Sequence, residues 1–199
     1  MVAVITGDII NSRRGDAEEW MGNLKHVLGQ YGQRPGEWDI FRGDSFQIIL
    51  RPEIALLAAV HIKACIKKSN ATDVRMAIGV GEITHQTSKI TESNGPAFVL
   101  AGECLESLKK QTLALRTNNQ ETDKPINIML NLALLTANSW SKTVAKVIIA
   151  KLEHPQKHQS EIAGLLGKSQ SSISEALKRG GFYEIMTMND YYRDKMTRL

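Results

Sequence analysis

The chain has 199 residues and a mass of 22.1 kDa, with 42% apolar and 23% charged residues. This composition excludes a disordered, collagenous or coiled-coil protein, and no segment approaches the roughly 20 apolar residues of a membrane-spanning helix. The N-terminal sequence M-V-A-V-I-T-G-D has an acidic residue where a signal peptide would continue apolar. We therefore expect a cytoplasmic protein without a membrane partner.

The net charge of +4 is unevenly distributed along the chain. Residues 1–125 contain 15 basic and 15 acidic side chains, whereas residues 126–199 contain 10 basic and 6 acidic ones. The C-terminal part carries the whole excess, which favours an anionic partner there. The two cysteines, Cys65 and Cys104, lie in apolar helical patterns and are expected to be buried free thiols.

Strand and helix patterns alternate in the first 116 residues. Short β-branched runs indicate strands, and apolar residues three or four apart indicate helices. In chain order we predict a strand from Val2 that ends near Asp8, a helix at about 16–31, a hairpin around Gly43-Asp44 and a helix from Pro52. A strand at 74–80, a loop or weak hairpin at 84–94, a helix from Gly95-Pro96 and a strand at 112–116 follow. This order predicts an α+β sandwich with helices on one face of an antiparallel sheet.

A polar segment, T-N-N-Q-E-T-D-K-P, separates this region from a C-terminal part without strand patterns. It predicts an N-terminal domain at 1–117, a linker at 118–125 and an all-α domain at 126–199. The residues from Ile126 to Leu152 are expected to be helical in two pieces that break near Asn138. Ser139 or Ser141 would cap the second piece.

The segment 159–178 has the spacing of a helix-turn-helix. It resembles bacterial helix-turn-helix regulators, whose pattern E-I-A-x-x-L-G-x-S-x-x-x-[VI]-S-x-x-L it follows over about 20 residues. Small Ala163 allows a close helix crossing, Gly167 can adopt a positive φ at the turn, and Ile173 and Leu177 anchor the second helix.

Several polar residues of this segment are expected to face outward. Gln and Lys side chains reach base edges, whereas Ser hydroxyls and backbone amides hold phosphates. The alternative is a helical hairpin that binds protein or simply packs. The predicted DNA-binding residues are Ser169, Gln170, Ser171, Ser174 and Lys178.

Two aspartates end or turn core strands in the N-terminal part. Asp8 follows the first strand in T-G-D-I-I, and Asp44 lies at the tip of the hairpin in R-G-D-S-F. If the two strands are neighbours, the carboxylates meet at one edge of the sheet. Paired carboxylates suit Mg²⁺ or Mn²⁺, which two-metal phosphoryl transfer uses.

Four motifs resemble class III nucleotidyl cyclase domains and occur in the same order. They are V-A-V-I-T-G-D-I, R-G-D-S-F-Q-I-I-L, V-R-M-A-I-G-V-G-E-I and N-G-P-A-F-V-L-A-G-E-C-L, within about residues 1–110. The resemblance implies a palm-like, ferredoxin-like fold with metal ligands at Asp8, Ile9 and Asp44. With its appended helix-turn-helix, the whole chain resembles the SatD family of small bacterial proteins.

The substrate-handling residues of the cyclases are replaced here. Val99 and Glu103 stand where the cyclase helix has an Asn for the ribose and an Arg for the phosphates. Apolar Ile40 stands near the position of the purine-selecting Lys. Losing the Arg alone would remove a few kcal/mol of transition-state stabilisation. We therefore expect little or no cyclase activity.

Further polar residues near the two aspartates are candidates for contacts with a nucleotide or phosphate: Asn11, Ser12, Arg13 and Arg42. A solvated loop, and a salt bridge for Arg42, are the structural alternatives. The sequence favours a homodimeric bacterial transcriptional regulator with a degenerate metal- and nucleotide-binding sensor domain. The alternatives are a divergent nucleotidyl cyclase or nucleotidyltransferase with a regulatory tail, and a protein-interaction adaptor.

Overall fold

A computed structural model describes residues 1–13, 16–69 and 73–199. The strands are β1 (Val2–Ile10), β2 (Trp38–Phe41), β3 (Ser45–Leu50), β4 (Asp73–Gly81) and β5 (Leu113–Arg116). The helices are α1 (Ala17–Tyr31), α2 (Pro52–Lys67), α3 (Pro96–Ser107), α4 (Gln120–Ala137), α5 (Lys142–Glu153), α6 (Gln159–Leu166), α7 (Gln170–Arg179) and α8 (Phe182–Met196). A short 3-10 helix spans Ile90–Glu92. The α+β class predicted from the sequence is confirmed.

The strands form one sheet in the order β2-β3-β1-β4-β5. β1 is central and antiparallel to both neighbours, with Ile5 opposite Ile48 on β3 and Ile78 on β4. β5 is parallel to β4, so the sheet is mixed and the prediction of an antiparallel sheet is wrong at this strand. The reason is the connection, because α3 carries the chain back across the sheet before β5 begins.

Helices cover both faces of the sheet, which corrects the prediction of helices on one face. Ala3, Ile5 and Ile9 of β1 belong to the core cluster that contains α1 and α2. Val4 faces the other way and packs with Phe98 of α3. This alternation follows from the two-residue period of a strand and buries β1 on both sides.

The helix α3 lies unusually close to the sheet. A Cβ atom added at Gly79 of β4 would lie 2.3 Å from the Ala101 nitrogen and 2.4 Å from the Ala97 oxygen. Only a residue without a side chain permits this backbone approach. The approach extends to Gly81, where an added Cβ would lie 2.9 Å from the Ala97 nitrogen.

The C-terminal helices pack against the same apolar core as the sheet, α1 and α2. The hydroxyl of Tyr192 on α8 is buried and donates to the Pro52 carbonyl of α2 at 2.7 Å. The indole of Trp140 donates to the Gly180 carbonyl at 2.9 Å and ties the α4–α5 connection to the end of α7. One continuous apolar cluster therefore includes the sheet, α1, α2 and the C-terminal helices.

Most of the segment predicted as a linker, residues 118–125, is helical, because α4 begins at Gln120. Asn119 caps this helix by accepting from the backbone nitrogens of Glu121 and Thr122. Both carboxylate oxygens of Asp123 accept from the Thr117 nitrogen, at 3.0 and 2.9 Å. The polar residues that suggested a linker serve as caps, which a polarity pattern alone does not distinguish from a loop. The division into two domains stays a prediction.

Within the described part of the chain, none of the helices combines the length and the apolar character that crossing a bilayer requires. The two cysteines are free and buried, as the sequence predicts.

Candidate functional site

Asp8 on β1 and Asp44 in the turn before β3 lie at one end of the sheet. Asp8 is paired in register with Ser45, the residue that follows Asp44. The Ile9 nitrogen donates to the Asp44 carbonyl at 3.1 Å. We call this end of the sheet, formed by residues 8–13 and 42–45, the carboxylate edge. The pairing of β1 with β3 therefore brings the backbones of the two residues together.

The carboxylate of Asp8 is bound by Arg75, which lies directly opposite it on β4. The Arg75 Nη2 and Nε atoms donate to the two Asp8 oxygens at 2.6 and 3.2 Å. These hydrogen bonds raise the pKa of the Arg75 guanidinium. The pair is half-buried, with exposed side-chain fractions of 36% for Arg75 and 26% for Asp8. Both oxygens of Asp8 are therefore already engaged by a cation.

Asp44 has a different partner. Its carboxylate accepts a hydrogen bond from the Ser12 hydroxyl at 2.8 Å. The turns that hold both residues contain non-glycine residues with positive φ, Asn11 at 59° and Arg42 at 54°. Such conformations are uncommon and concentrate at functional sites and tight turns. The carboxylate edge thus brings Ser12 to Asp44 and places Asn11 and Arg42 in the two adjoining turns.

The other residues predicted for phosphate or metal contacts differ in accessibility. Asn11, Arg13 and Arg42 are exposed, whereas the Ile9 side chain is buried in the core and only its backbone lies at the edge. No ion pair links Arg42 to a carboxylate in the described residues. Its side chain is therefore available to an anion.

The carboxylate edge does not fit a divalent ion as it is arranged. An ion at Asp8 would have to displace the Arg75 guanidinium from both oxygens. Among the described residues, no group of three or more His, Cys, Asp or Glu side chains gathers around one point. Hard cations in this size class prefer several oxygen ligands. The metal site thus stays a prediction, which the Asp8–Arg75 pair opposes.

The three residues that depart from the cyclase pattern lie on two elements, Val99 and Glu103 on α3 and Ile40 on β2. Val99 is 51% exposed on α3. Glu103 is paired with Arg116 at 3.1 Å, and Arg116 lies beside Gly79, four positions along β4 from Arg75. Ile40 is half-buried and packs against the main core. Glu103 and Ile40 are thus engaged in ordinary structural contacts, whereas Val99 faces solvent.

The segment predicted as a helix-turn-helix consists of α6 and α7, joined by residues 167–169. Gly167 has φ 60° and ψ 40°, the left-handed conformation expected from the sequence. The Ser169 hydroxyl accepts from the Ser172 nitrogen at 3.3 Å and caps α7. Ile162 and Ala163 of α6 are buried together with Ile173 and Leu177 of α7. The burial of these four residues agrees with the packing expected from the sequence, whereas Leu165, which the same spacing places on the buried side of α6, is 55% exposed.

The polar face of α7 is exposed. It presents the five residues predicted to contact DNA, Ser169, Gln170, Ser171, Ser174 and Lys178. The hydroxyls of Ser171 and Ser172 lie 3.0 and 2.9 Å from the Ser169 hydroxyl, at the positive end of the helix dipole. Three hydroxyls and free backbone amides at a helix start form a suitable contact for a phosphate oxygen.

A groove between α4, α8 and the end of α7 was not anticipated from the sequence. It has a volume of about 630 Å³, and mostly apolar residues line it, including Met129, Leu132 and Met188. Lys178, Arg179 and Glu184 are the charged residues of its lining. The signal available in the sequence was the absence of any charged residue between Lys124 and Lys142.

A buried histidine joins three helices beneath the sheet. His61 on α2 is 3% exposed, and its Nδ1 lies 3.1 Å from the hydroxyl of Tyr31 on α1. Its Nε2 lies 3.6 Å from a carboxylate oxygen of Glu153 on α5. Burial lowers the pKa of His61, and the nearby Glu153 carboxylate partly opposes this shift. His61 is therefore a packed core histidine.

Comparison with known proteins gives one family. No curated protein and no solved structure matches the chain. The family model described as SatD family matches residues 1–196, nearly the whole length and all of the elements described above. The chain therefore belongs to the SatD family.

Proposed function

We propose that this protein is a cytoplasmic bacterial transcriptional regulator that binds DNA through α6 and α7, which act as a helix-turn-helix. The observation that carries the proposal is the two-sided character of α7. Ile173, Ala176 and Leu177 are buried, whereas the opposite face of the helix exposes Gln170 and Ser174. Residues of these types contact base edges and phosphates in a major groove.

The electrostatics of the segment support an anionic partner. Lys157, Lys168, Lys178 and Arg179 outnumber Glu161 and Glu175 in and around the two helices. Lys157 and Arg179 have carboxylate partners at 3.7 and 3.8 Å, both on the solvent-exposed surface. Exposed pairs of this kind are weak and exchange readily for phosphate contacts.

In this proposal the N-terminal region is a palm-like sensor that has lost the substrate-handling residues of a cyclase. Its expected ligand is a nucleotide or another phosphate compound at the carboxylate edge, with or without Mg²⁺ or Mn²⁺. Arg42 and Arg13 are the exposed cations beside the turn that Ser12 and Asp44 stabilise. A ligand there would regulate DNA affinity only if it bound two arrangements of the protein differently.

A divergent nucleotidyltransferase or cyclase is the second candidate. The adjacency of the Asp8 and Asp44 backbones at one sheet edge favours it, because paired carboxylates hold the metal ions of phosphoryl transfer. The Arg75 guanidinium on Asp8 opposes it. A protein-interaction adaptor is the third candidate, favoured by the apolar groove.

The proposal is tested by equilibrium DNA binding as a function of salt. Lys178→Ala should lower affinity and make the slope of log affinity against log salt shallower by about 1 if the side chain contacts one phosphate. Gln170→Ala should weaken preference among sequences more than overall affinity. Lys109→Ala, an exposed lysine outside the C-terminal helices, is the matched control and should change neither quantity. Identical binding by all four proteins would contradict the proposal.

A further inference from the structure

The helix α4 carries an apolar stripe on its outer side. Ile128, Leu132 and Leu135 are 52%, 63% and 75% exposed and follow one another at intervals of four and three residues. This spacing places them on one face of the helix. They account for three of the nine large apolar side chains that are exposed in the described residues.

The opposite side of α4 is also apolar. Ile126, Leu130 and Leu134 are buried against the rest of the protein, so α4 is apolar on two sides. No charged residue occurs from Pro125 to Ser141. A helix that is apolar nearly all round is normally covered on all sides. The groove beside the stripe, lined by Leu132 and Tyr191, extends the apolar surface to α8.

We infer that the outer face of α4 and the adjoining groove form the contact surface with a second copy of this chain, related by a twofold axis. An isologous contact places the same patch against itself. A stripe with no charge meets its own copy without repulsion, and its intervals of four and three residues suit the packing of one helix along another. The name α4 face is used below for Ile128, Met129, Leu132, Leu135 and Tyr191.

The charged residues around the groove fit the same partner. Arg179 and Glu184 line it. Among the described residues Glu184 forms no ion pair, and the partner of Arg179 is the solvent-exposed Glu175 at 3.8 Å. In a twofold contact the Arg179 of one copy can approach the Glu184 of the other, and the same pair then forms twice. A partner of one charge sign would leave one of these two residues without a match.

The dimensions of the surface suit a stable dimer. α4 has 18 residues, which corresponds to a length of about 27 Å. With α8 beside it, the face is about 20 Å wide, since packed helix axes lie about 10 Å apart. A stable interface buries about 800 Å² of accessible surface on each partner. Two packed helices of this length supply an area of that order.

The position of the groove relates dimerisation to DNA contact. Lys178 and Arg179 at the end of α7 line the groove. Two copies joined at the α4 face would therefore hold their two α7 helices in a fixed relation, as dimeric helix-turn-helix proteins require for paired half-sites. This last step rests on the proposed function, whereas the dimer itself is argued from the apolar surface alone.

The test is the oligomeric state of the full chain, measured by sedimentation equilibrium without DNA. We expect a wild-type dimer. Leu132→Glu should raise the dimer dissociation constant by about a hundredfold or more, because two unpaired carboxylates would be buried across the axis. Leu165→Glu is the matched control, since Leu165 is a 55% exposed leucine on α6 outside the α4 face. It should leave the dimer intact. Leu135→Gln, which adds no charge, covers the case in which Leu132→Glu does not fold, and it should weaken the dimer by about tenfold.

Three results would overturn the inference. They are a wild-type monomer at the highest soluble concentration, a dimer unaffected by a folded Leu132→Glu or Leu135→Gln variant, and a dimer that Leu165→Glu dissociates equally. A monomeric wild-type protein that still binds DNA would reject the α4 face and leave the helix-turn-helix proposal standing. A dimer that depends on the α4 face but binds no DNA would support the α4 face and reject the helix-turn-helix proposal.

Discussion

Arg75 binds the carboxylate of Asp8 through two hydrogen bonds, at 2.6 and 3.2 Å, across neighbouring antiparallel strands. This pair occupies the position at which the cyclase resemblance implies a metal ligand. The side chain of Asp8 is neutralised by the protein itself. Because Arg75 competes for both Asp8 oxygens, we expect it to lower the affinity of the protein for divalent ions.

Arg75→Met should increase the affinity of the protein for Mn²⁺. The substitution keeps an unbranched apolar stem and removes a cation that competes for both Asp8 oxygens, so we expect a gain of about tenfold or more. Isothermal titration calorimetry measures it. Asp44→Asn added to Arg75→Met should cancel the gain. Equal Mn²⁺ affinity of the wild-type and Arg75→Met proteins would show that the carboxylate edge is not a latent metal site.

Cyclic nucleotide formation from ATP or GTP should be absent or very weak in the purified wild-type protein. Val99 and Glu103 replace the polar groups that orient ribose and stabilise phosphate charge in the cyclase pattern, and Glu103 is paired with Arg116. The measurement is chromatographic detection of product with Mn²⁺ present. Robust product formation that Asp44→Ala abolishes would contradict this expectation and favour the enzyme hypothesis.

The close contact between α3 and β4 predicts opposite effects for two glycine substitutions. Gly79→Ala should destabilise the protein by about 2–4 kcal/mol, because the new Cβ would overlap the backbone at Ala97 and Ala101. Gly102→Ala is the control on α3, where a Cβ meets nothing within 4 Å. It should stabilise the protein by about 0.5–1 kcal/mol through helix propensity. Urea unfolding curves give both values, and a neutral Gly79→Ala would show that α3 lies farther from the sheet.

Protonation of His61 should destabilise the folded protein. Burial lowers the pKa of His61 below its ordinary value of 6.5. Below pH 6.5 the unfolded chain therefore binds a proton that the folded chain does not, so the stabilising contribution is present above this pH. It is lost as the pH falls towards the folded pKa, by up to about 1.4 kcal/mol for each unit of pKa difference.

The matched variant for this effect is His61→Gln, which retains a hydrogen-bonding group near the Tyr31 hydroxyl. The free energy of unfolding is measured for both proteins between about pH 5 and 8. The difference between wild type and variant should shrink as the pH falls, since only the wild type loses the His61 contribution. Parallel curves over this range would show that His61 does not titrate differently in the two states.

The sequence predicted local structure better than it predicted contacts between residues far apart in the chain. The turn glycine Gly167, the buried Ile173 and the turn at Asp44 before β3 follow from patterns within a few residues of each position. The pairing of Asp8 with Arg75 does not, because the two residues are 67 positions apart and meet only through the β1–β4 register. The cyclase resemblance implies that the carboxylates of Asp8 and Asp44 are both free to bind metal. In the structure the Asp8 carboxylate is bound by Arg75.

The structure differs from the sequence-based prediction at two further places, β5 and the start of α4. The parallel direction of β5 depends on the α3 crossover rather than on its own four residues. The polar residues before α4 function as caps and as acceptors for Thr117, although their composition is that of a linker. In both cases the deciding information is a contact made after the chain has folded.

The central claim is that α7 contacts DNA, and selection from a pool of genomic fragments tests it most directly. The pool is incubated with the wild-type protein and with Gln170→Ala, and the bound fragments are sequenced. We predict that the wild type enriches a small set of fragments and that Gln170→Ala loses most of this preference, corresponding to about 1–3 kcal/mol of discrimination. No enrichment by the wild type, or an identical enriched set for both proteins, would contradict the account and favour a protein-contact role for the C-terminal helices.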